Sequence, residues 1–252
     1  YCTSDNFYAD VDEDGLPEIA ISRITANDQL QLETTINKIL DYERNPPTEY
    51  SFYNEPVMAG GWQRERWFVL CEEVVYGFLA NELGKSPTRE YAIYSGATDI
   101  WSSATNTSAV TNYFGPTGLG YIPATPAHLT DWGANATRIN NDINNGTFMV
   151  QHRDHGDVTG WGEPSYSNSD LNGLSNTELT FVFSINCLTG LYSGSTECFA
   201  EAFHRMDQGA LGIIAASEVS YSFVNDTFVW GMYDQIWPDF DPGNGLDGDH
   251  EF

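Results

Sequence analysis

Positive charge is what this chain has least of. Ten Lys and Arg stand against thirty-six Asp and Glu over 252 residues, a formal net charge of −26. Nucleic acid and anionic membrane surfaces are bound through clustered Lys and Arg, so this balance argues against both as partners. No apolar run approaches the roughly 20 residues of a membrane-spanning helix. No leader pattern opens the chain, so Tyr1 reads as a processed or otherwise defined start. Internal repeats are absent too. What is present supports a large core: 41% hydrophobic residues and 14% aromatics exclude wholesale disorder. The length suits one large α/β domain, or one and a half small ones.

Cysteine is also scarce. Cys2, Cys71, Cys187 and Cys198 allow two disulfides in three connectivities. If Cys187 must be a thiolate, at most one disulfide remains among the other three. Cys71 and Cys198 fall on amphipathic helical patterns, where a buried free thiol is expected.

Strand and helix patterns alternate along the chain. Ile19 to Ile24 reads as a strand, and Asn27 or Asp28 caps a helix to about Arg44 with Leu32, Ile36, Ile39 and Leu40 on its inner face. A short strand at Pro56 to Ala59, closed by Gly60 and Gly61, precedes a helix from about Arg66 to Leu83. Tyr91 to Tyr94 is a strand, and Ser95 to about Trp132 reads as a long loop or insertion without sustained period. A short helix near Ala136 to Asn144 leads into an apolar run, Thr147 to Gln151. A second apolar run at Leu179 to Asn186, a helix at Glu197 to Met206, a strand at Gly209 to Ala216 and a helix from about Asp226 to Ile236 complete the pattern. The alternation predicts a mainly parallel sheet with helices on both faces. The acidic, Gly-rich tail from Asp239 to Phe252 reads as surface.

Two of these strands deliver chemistry at their ends. The Thr147 run leads into His155-Gly156, and the Leu179 run ends at Cys187. A parallel sheet displays a nucleophile and its base in this way, and an adjacent imidazole favours the reactive thiolate. His152 is the rival imidazole but still lies within its strand, and Cys198 is the rival thiol on an apolar helix face.

The segments Phe181 to Cys187, Glu197 to Phe203, His155-Gly156 with Trp161-Gly162, and Gly212 to Ser217 together resemble the gingipain family of cysteine peptidases. Glu18 to Ile24 and Asp41 to Asn45 are similar to that family's lead-in to its catalytic subdomain. The resemblance implies a caspase-like three-layer α/β/α fold, a bacterial protein that is secreted or held at the cell surface, and maturation from a longer precursor. It divides the chain into the end of a first α/β subdomain (1–50) and a catalytic subdomain (51–252) carrying the insertion at about 95–132. It implies a polypeptide substrate and hydrolysis through a Cys187–His155 dyad and a thioester intermediate. The backbone N–H groups of Gly156 and Cys187 would form the oxyanion hole.

The family often orients its histidine with an acid just before a Gly-Gly pair, and here that position is Ala59. Glu65 is a nearby substitute, with a dyad oriented by a backbone carbonyl as the alternative. The family's acidic S1 residue falls near Trp67 or Phe68, and Phe223 matches an aromatic that packs over the S1 side chain. An apolar floor and an aromatic lid favour an uncharged P1 residue, unless Glu218 or an acid of the insertion enters the pocket. The same dyad would serve a sortase-like transpeptidase, in which an amine intercepts the thioester, and would survive in a silent binding module with a closed cleft.

Asp10, Asp12, Asp14 and Gly15 form the front half of a calcium loop, to which Glu18 adds a carboxylate. Ile21 occupies the twelfth position, so this is not an EF-hand. A structural Ca²⁺ is expected there, and the tail acids Asp241, Asp247 and Asp249 are a second candidate. No organic cofactor is implied.

Overall fold

The computed structural model describes residues 4–15 and 17–241. In chain order its elements are α1 (Gln29–Arg44), α2 (Tyr50–Asn54), β1 (Val57–Gln63), α3 (Phe68–Asn81), β2 (Thr88–Ser95), α4 (Thr107–Phe114), α5 (Ala136–Asn145) and β3 (Met149–Arg153). There follow the short β4 (Gly156–Asp157), β5 (Gly160–Trp161) and β6 (Tyr166–Ser167), then β7 (Thr180–Ile185), α6 (Phe199–Arg205), β8 (Ala210–Ala215) and α7 (Ser222–Ile236). Five strands form one parallel sheet in the order β2-β1-β3-β7-β8, and β4-β5-β6 make a small antiparallel sheet beside it. The strand order turns back between β1 and β3. A crevice therefore opens at the carboxyl ends of the central strands, where open α/β sheets bind their ligands.

Period-two alternation builds the two helical layers. Met58, Trp62, Met149, Phe183 and Ile185 face α3 and α7, while Val57, Ala59, Val150 and Val182 face α5 and α6. This is the three-layer α/β/α arrangement expected from the alternating pattern. No described helix is long and apolar enough to cross a membrane.

Four expectations need correction. Residues 19–24 form no strand: a strand exists only where a neighbour completes its backbone hydrogen bonds, and no described strand pairs with them. The inner face of α1 is turned. Thr35 and Lys38 are buried, with Lys38 Nζ donating to the carbonyls of His204, Met206 and Gln208, while Leu32 and Ile36 stay exposed. Gly60 and Gly61 lie inside β1 rather than closing it. The 95–132 segment is no loose loop, since it carries α4 and buries Trp101, Phe114, Tyr121 and Ile122 against α3 and α7. Its aromatics are spaced irregularly because they fill gaps between two helices, and such packing leaves no period in the sequence.

Candidate active site

The site forms where β1, β3 and β7 end. Past β7 the chain turns sharply: Leu188 has φ +62, a left-handed conformation that a branched side chain seldom adopts. The turn is held by Asn186, fully enclosed, whose Nδ2 donates to His152 Nδ1 (2.9 Å) and Ser184 Oγ (3.0 Å) while its Oδ1 accepts from Thr189 Oγ1 (2.6 Å). Cys187 is thereby lifted out of a buried strand end into partial exposure. Cys71 and Cys198, the other described cysteines, are buried free thiols. Burial pushes both up, Cys198 to about 11 and Cys71 well above the usual thiol range. Cys2 lies outside the described residues.

His155, just past β3, is half-buried between Phe68 and Tyr94, each with its ring centroid 5.1 Å away. Its Nε2 meets Gln63 Oε1 at 2.7 Å, and Gln63 Nε2 donates to Glu65 at 2.6 Å. The amide oxygen is an acceptor, so it holds the Nε2–H tautomer and leaves Nδ1 free as a base. Burial lowers the imidazole pKa, as do the cations Arg66 and Arg153, while Glu65 opposes them. Glu65 is thus bonded to the ring only by way of Gln63, while its charge acts on the ring through space. Gln63 itself is not singled out by its sequence position. A register shift in the β1–β2 ladder between Trp62 and Gln63 re-aims its side chain, and such a bulge has no residue signature.

Cys187 and His155 line one cleft of about 420 Å³. No hydrogen bond joins them: Cys187 Sγ donates to Ser220 O (3.4 Å) while His155 holds Gln63. Gly156 sits under the same wall, where a Cβ would lie 2.5 Å from Asn186 Oδ1 and 2.8 Å from Cys187 O, so any side chain would separate the two loops. Gly162 N donates to His155 O, which makes Gly156–Trp161 the non-bonded pair of the β4–β5 ladder. The Gly156 N–H is therefore not engaged by β5.

The opposite wall is the start of α7. Phe223 and Phe68 line the cleft, whereas Trp67 is buried behind Phe223 (centroids 4.7 Å apart) and bonded to Thr107. Arg66 lines the cleft in its place. Arg153, fully buried, ties the walls together: its Nε bonds Asp226 at 2.6 Å, and its other nitrogens bond the carbonyls of Asp154, Ile185 and Ser222. His152 is also fully buried, stacked on Trp161 at 4.1 Å, so it takes no part in the cleft.

Asp154 is a second residue that the sequence pattern did not flag. Its carboxylate accepts from Glu163 N (2.6 Å), and burial raises its pKa to about 7. A Cβ on Gly61 would sit 2.6 Å from that carboxylate, which explains a glycine inside β1. Ala59 belongs to the apolar layer facing α5 and α6.

Away from the cleft, Asp10, Asp12, Asp14 and Glu18 bring four ligand oxygens within 4.8 Å of one another. Gly15 permits the turn at φ +95, and Asp10 accepts from the N–H groups of Asp14 and Gly15. This all-oxygen, four-carboxylate set fits a hard cation such as Ca²⁺. Asp247 and Asp249 lie outside the described residues, while Asp241 accepts from the Tyr113 hydroxyl.

The family model for peptidase family C25 matches residues 1–246. Gingipain R2 of Porphyromonas gingivalis is 26% identical over 223 residues, covering 85% of this chain and 26% of its own length. Lys-gingipain of the same organism is 23% identical over 226 residues, covering 86% of this chain and 11% of its own. The chain therefore spans about a quarter or less of these curated relatives. The crystal structure of the Arg-specific cysteine proteinase gingipain R superposes with a TM-score of 0.72 at 20% identity, over 99% of this chain and 56% of that one. A complex of the P. gingivalis RgpB pro- and mature domains gives a TM-score of 0.68 at 20% identity, over 92% of this chain and 48% of that one.

Proposed function

This chain belongs to peptidase family C25, the gingipain-family cysteine peptidases, and from that premise we propose that it hydrolyses peptide bonds through Cys187 and His155. One observation carries the reading: the partly exposed thiol and an imidazole with an open Nδ1 line a single cleft at neighbouring strand ends. His155 takes the thiol proton as Cys187 Sγ attacks the scissile carbonyl, forming a C–S bond and a tetrahedral oxyanion. The N–H groups of Gly156 and Cys187 receive that oxyanion. Collapse breaks the C–N bond, the imidazolium protonates the leaving amine, and a thioester remains. His155 then deprotonates water, whose attack releases the acid and the thiol. The substrate is a polypeptide, and the setting is outside a bacterial cell. The segment 1–50 is the end of a first subdomain and 51–252 the catalytic one.

Thiol titration tests the reading. Iodoacetamide should label Cys187 at least about tenfold faster than Cys71 or Cys198, because those thiols are buried and held protonated. Equal rates at all three would remove the nucleophile. An added amine that captures the acyl group in place of water would mark a transpeptidase instead.

Gln63 is a positioning residue in this scheme. Gln63→Leu should lower kcat by about ten- to a hundredfold, because a misoriented ring loses its aligned attack geometry. Gln63→Glu places a carboxylate on Nε2 and should move the acid limb of the kcat/KM profile to higher pH. Profiles superimposable on wild type in both variants would deny Gln63 this role.

The Asp10, Asp12, Asp14 and Glu18 cluster holds a structural Ca²⁺ under the same proposal, and its charge would hold four mutually repelling carboxylates together. For protein shown to start with calcium, chelator should lower Tm, since a ligand of the native state stabilises it by mass action. Asp12→Asn should shrink that drop. A melting curve indifferent to chelator counts against the site.

A further inference from the structure

We infer that the S1 subsite of this cleft is built for an acidic side chain, Asp or Glu, with Arg66 as its cationic partner. The inference rests on the peptidase reading and adds the substrate class. Eight arginines occur in the chain, and six of them are ion-paired: Arg23, Arg64, Arg89, Arg138, Arg153 and Arg205. Arg44 is exposed on α1. Among the described residues, only Arg66 is half-buried in a cleft without a carboxylate in ion-pair contact, in a protein that has thirty-six Asp and Glu.

Its Nε is buried and makes no hydrogen bond, and its guanidinium carbon lies 5.9 Å from the Phe223 ring centroid. A buried donor without an acceptor is costly, and a ligand carboxylate would satisfy it with a charge-assisted bond. The amino terminus of α3 begins at the next turn and adds partial positive charge to the same corner.

Among the described residues no acid forms an ion pair with Arg66, and the nearest ones, Asp226 and Glu65, act on it only through space. Asp154 lines the cleft, but its carboxylate turns to Glu163 N and Gly61. Asp226 is bound to Arg153. Glu218 is exposed and caps Val219 N–H, and Glu65 is exposed and takes Gln63. The acids of the 95–132 segment, Asp99 and Asp131, pair with Arg64 and Arg138. A P1 Arg or Lys would thus meet the like charge of Arg66. The Phe68 and Phe223 rings, which alone favour an uncharged residue, become side walls that remove water around the ion pair and strengthen it.

The test is kcat/KM on peptides identical except at P1. Asp or Glu should be cleaved at least about tenfold faster than the isosteric Asn or Gln, and faster still than Arg or Lys. Arg66→Gln should bring the acid-to-amide ratio to within about threefold of one, Arg66→Glu should invert it in favour of Lys, and Arg66→Lys should retain an acidic preference. The ratio is internal to each variant, so a general loss of activity does not mimic the result. Wild-type cleavage that is as fast after Asn or Arg, or an Arg66→Gln ratio equal to wild type, overturns the inference and leaves the peptidase reading standing. Absence of cleavage after every P1 residue overturns both.

Discussion

Cys187→Ala should reduce peptide cleavage by at least about a thousandfold, because the step that forms the thioester then has no attacking atom. The fold should survive. The side chain is only partly buried and makes two long contacts, both with Ser220, Sγ donating to its carbonyl at 3.4 Å and accepting from its Oγ at 3.8 Å, so its loss leaves little cavity. Cys198→Ala makes the opposite prediction. That thiol is fully buried at the start of α6, and its removal should cost about 1 kcal/mol of stability while turnover persists. Measuring kcat/KM and urea unfolding on the two variants side by side separates nucleophile from packing thiol. Cleavage by Cys187→Ala at the wild-type rate would end the assignment.

Asp226→Ala should destabilise the protein by about 3–5 kcal/mol, the typical penalty for stranding a buried charge. Its partner Arg153 is 1% exposed and sits over the Phe68 ring at 4.4 Å. Burial raises the Asp226 pKa and Arg153 lowers it, and the 2.6 Å geometry is that of an ion pair. The pair also has a functional consequence. Arg153 joins the end of β3 to the carbonyls of Ile185 and Ser222, so it spaces the strand that carries Cys187 from the helix that carries Phe223. Whatever Asp226→Ala molecules remain folded should therefore show a raised KM. Replacing both partners with apolar residues, Arg153→Met with Asp226→Leu, should recover much of the stability, since no unpaired charge is left. Urea unfolding at neutral pH reads both effects. A single variant within about 1 kcal/mol of wild type would mean that water reaches Arg153.

Local patterns carried much of the fold. Asp28 is the N-cap of α1 as its side-chain chemistry predicts, accepting from Gln31 N, and Asn135 caps α5 in the same manner. The apolar runs at 149–153 and 180–185 are the central strands because both faces of a parallel sheet are covered. Failures came where an element depends on a distant partner. The 19–24 segment has strand composition and no paired neighbour among the described residues. The family resemblance puts Trp67 at the S1 pocket, yet the Thr107 hydroxyl and the Phe223 ring hold it inside.

The sequence by itself determined the fold class and, through the resemblance of several segments, the family, and it put forward Cys187 and His155 as the candidate pair, because strand-end placement and turn glycines are properties of contiguous residues. Only the tertiary structure decided what surrounds that pair. Gln63 on His155, Asp154 against Gly61, Arg153 on Asp226 and an unpaired Arg66 are contacts between segments far apart in the chain. Their energies depend on distance and burial in three dimensions, and those quantities arise only once helices and strands have packed.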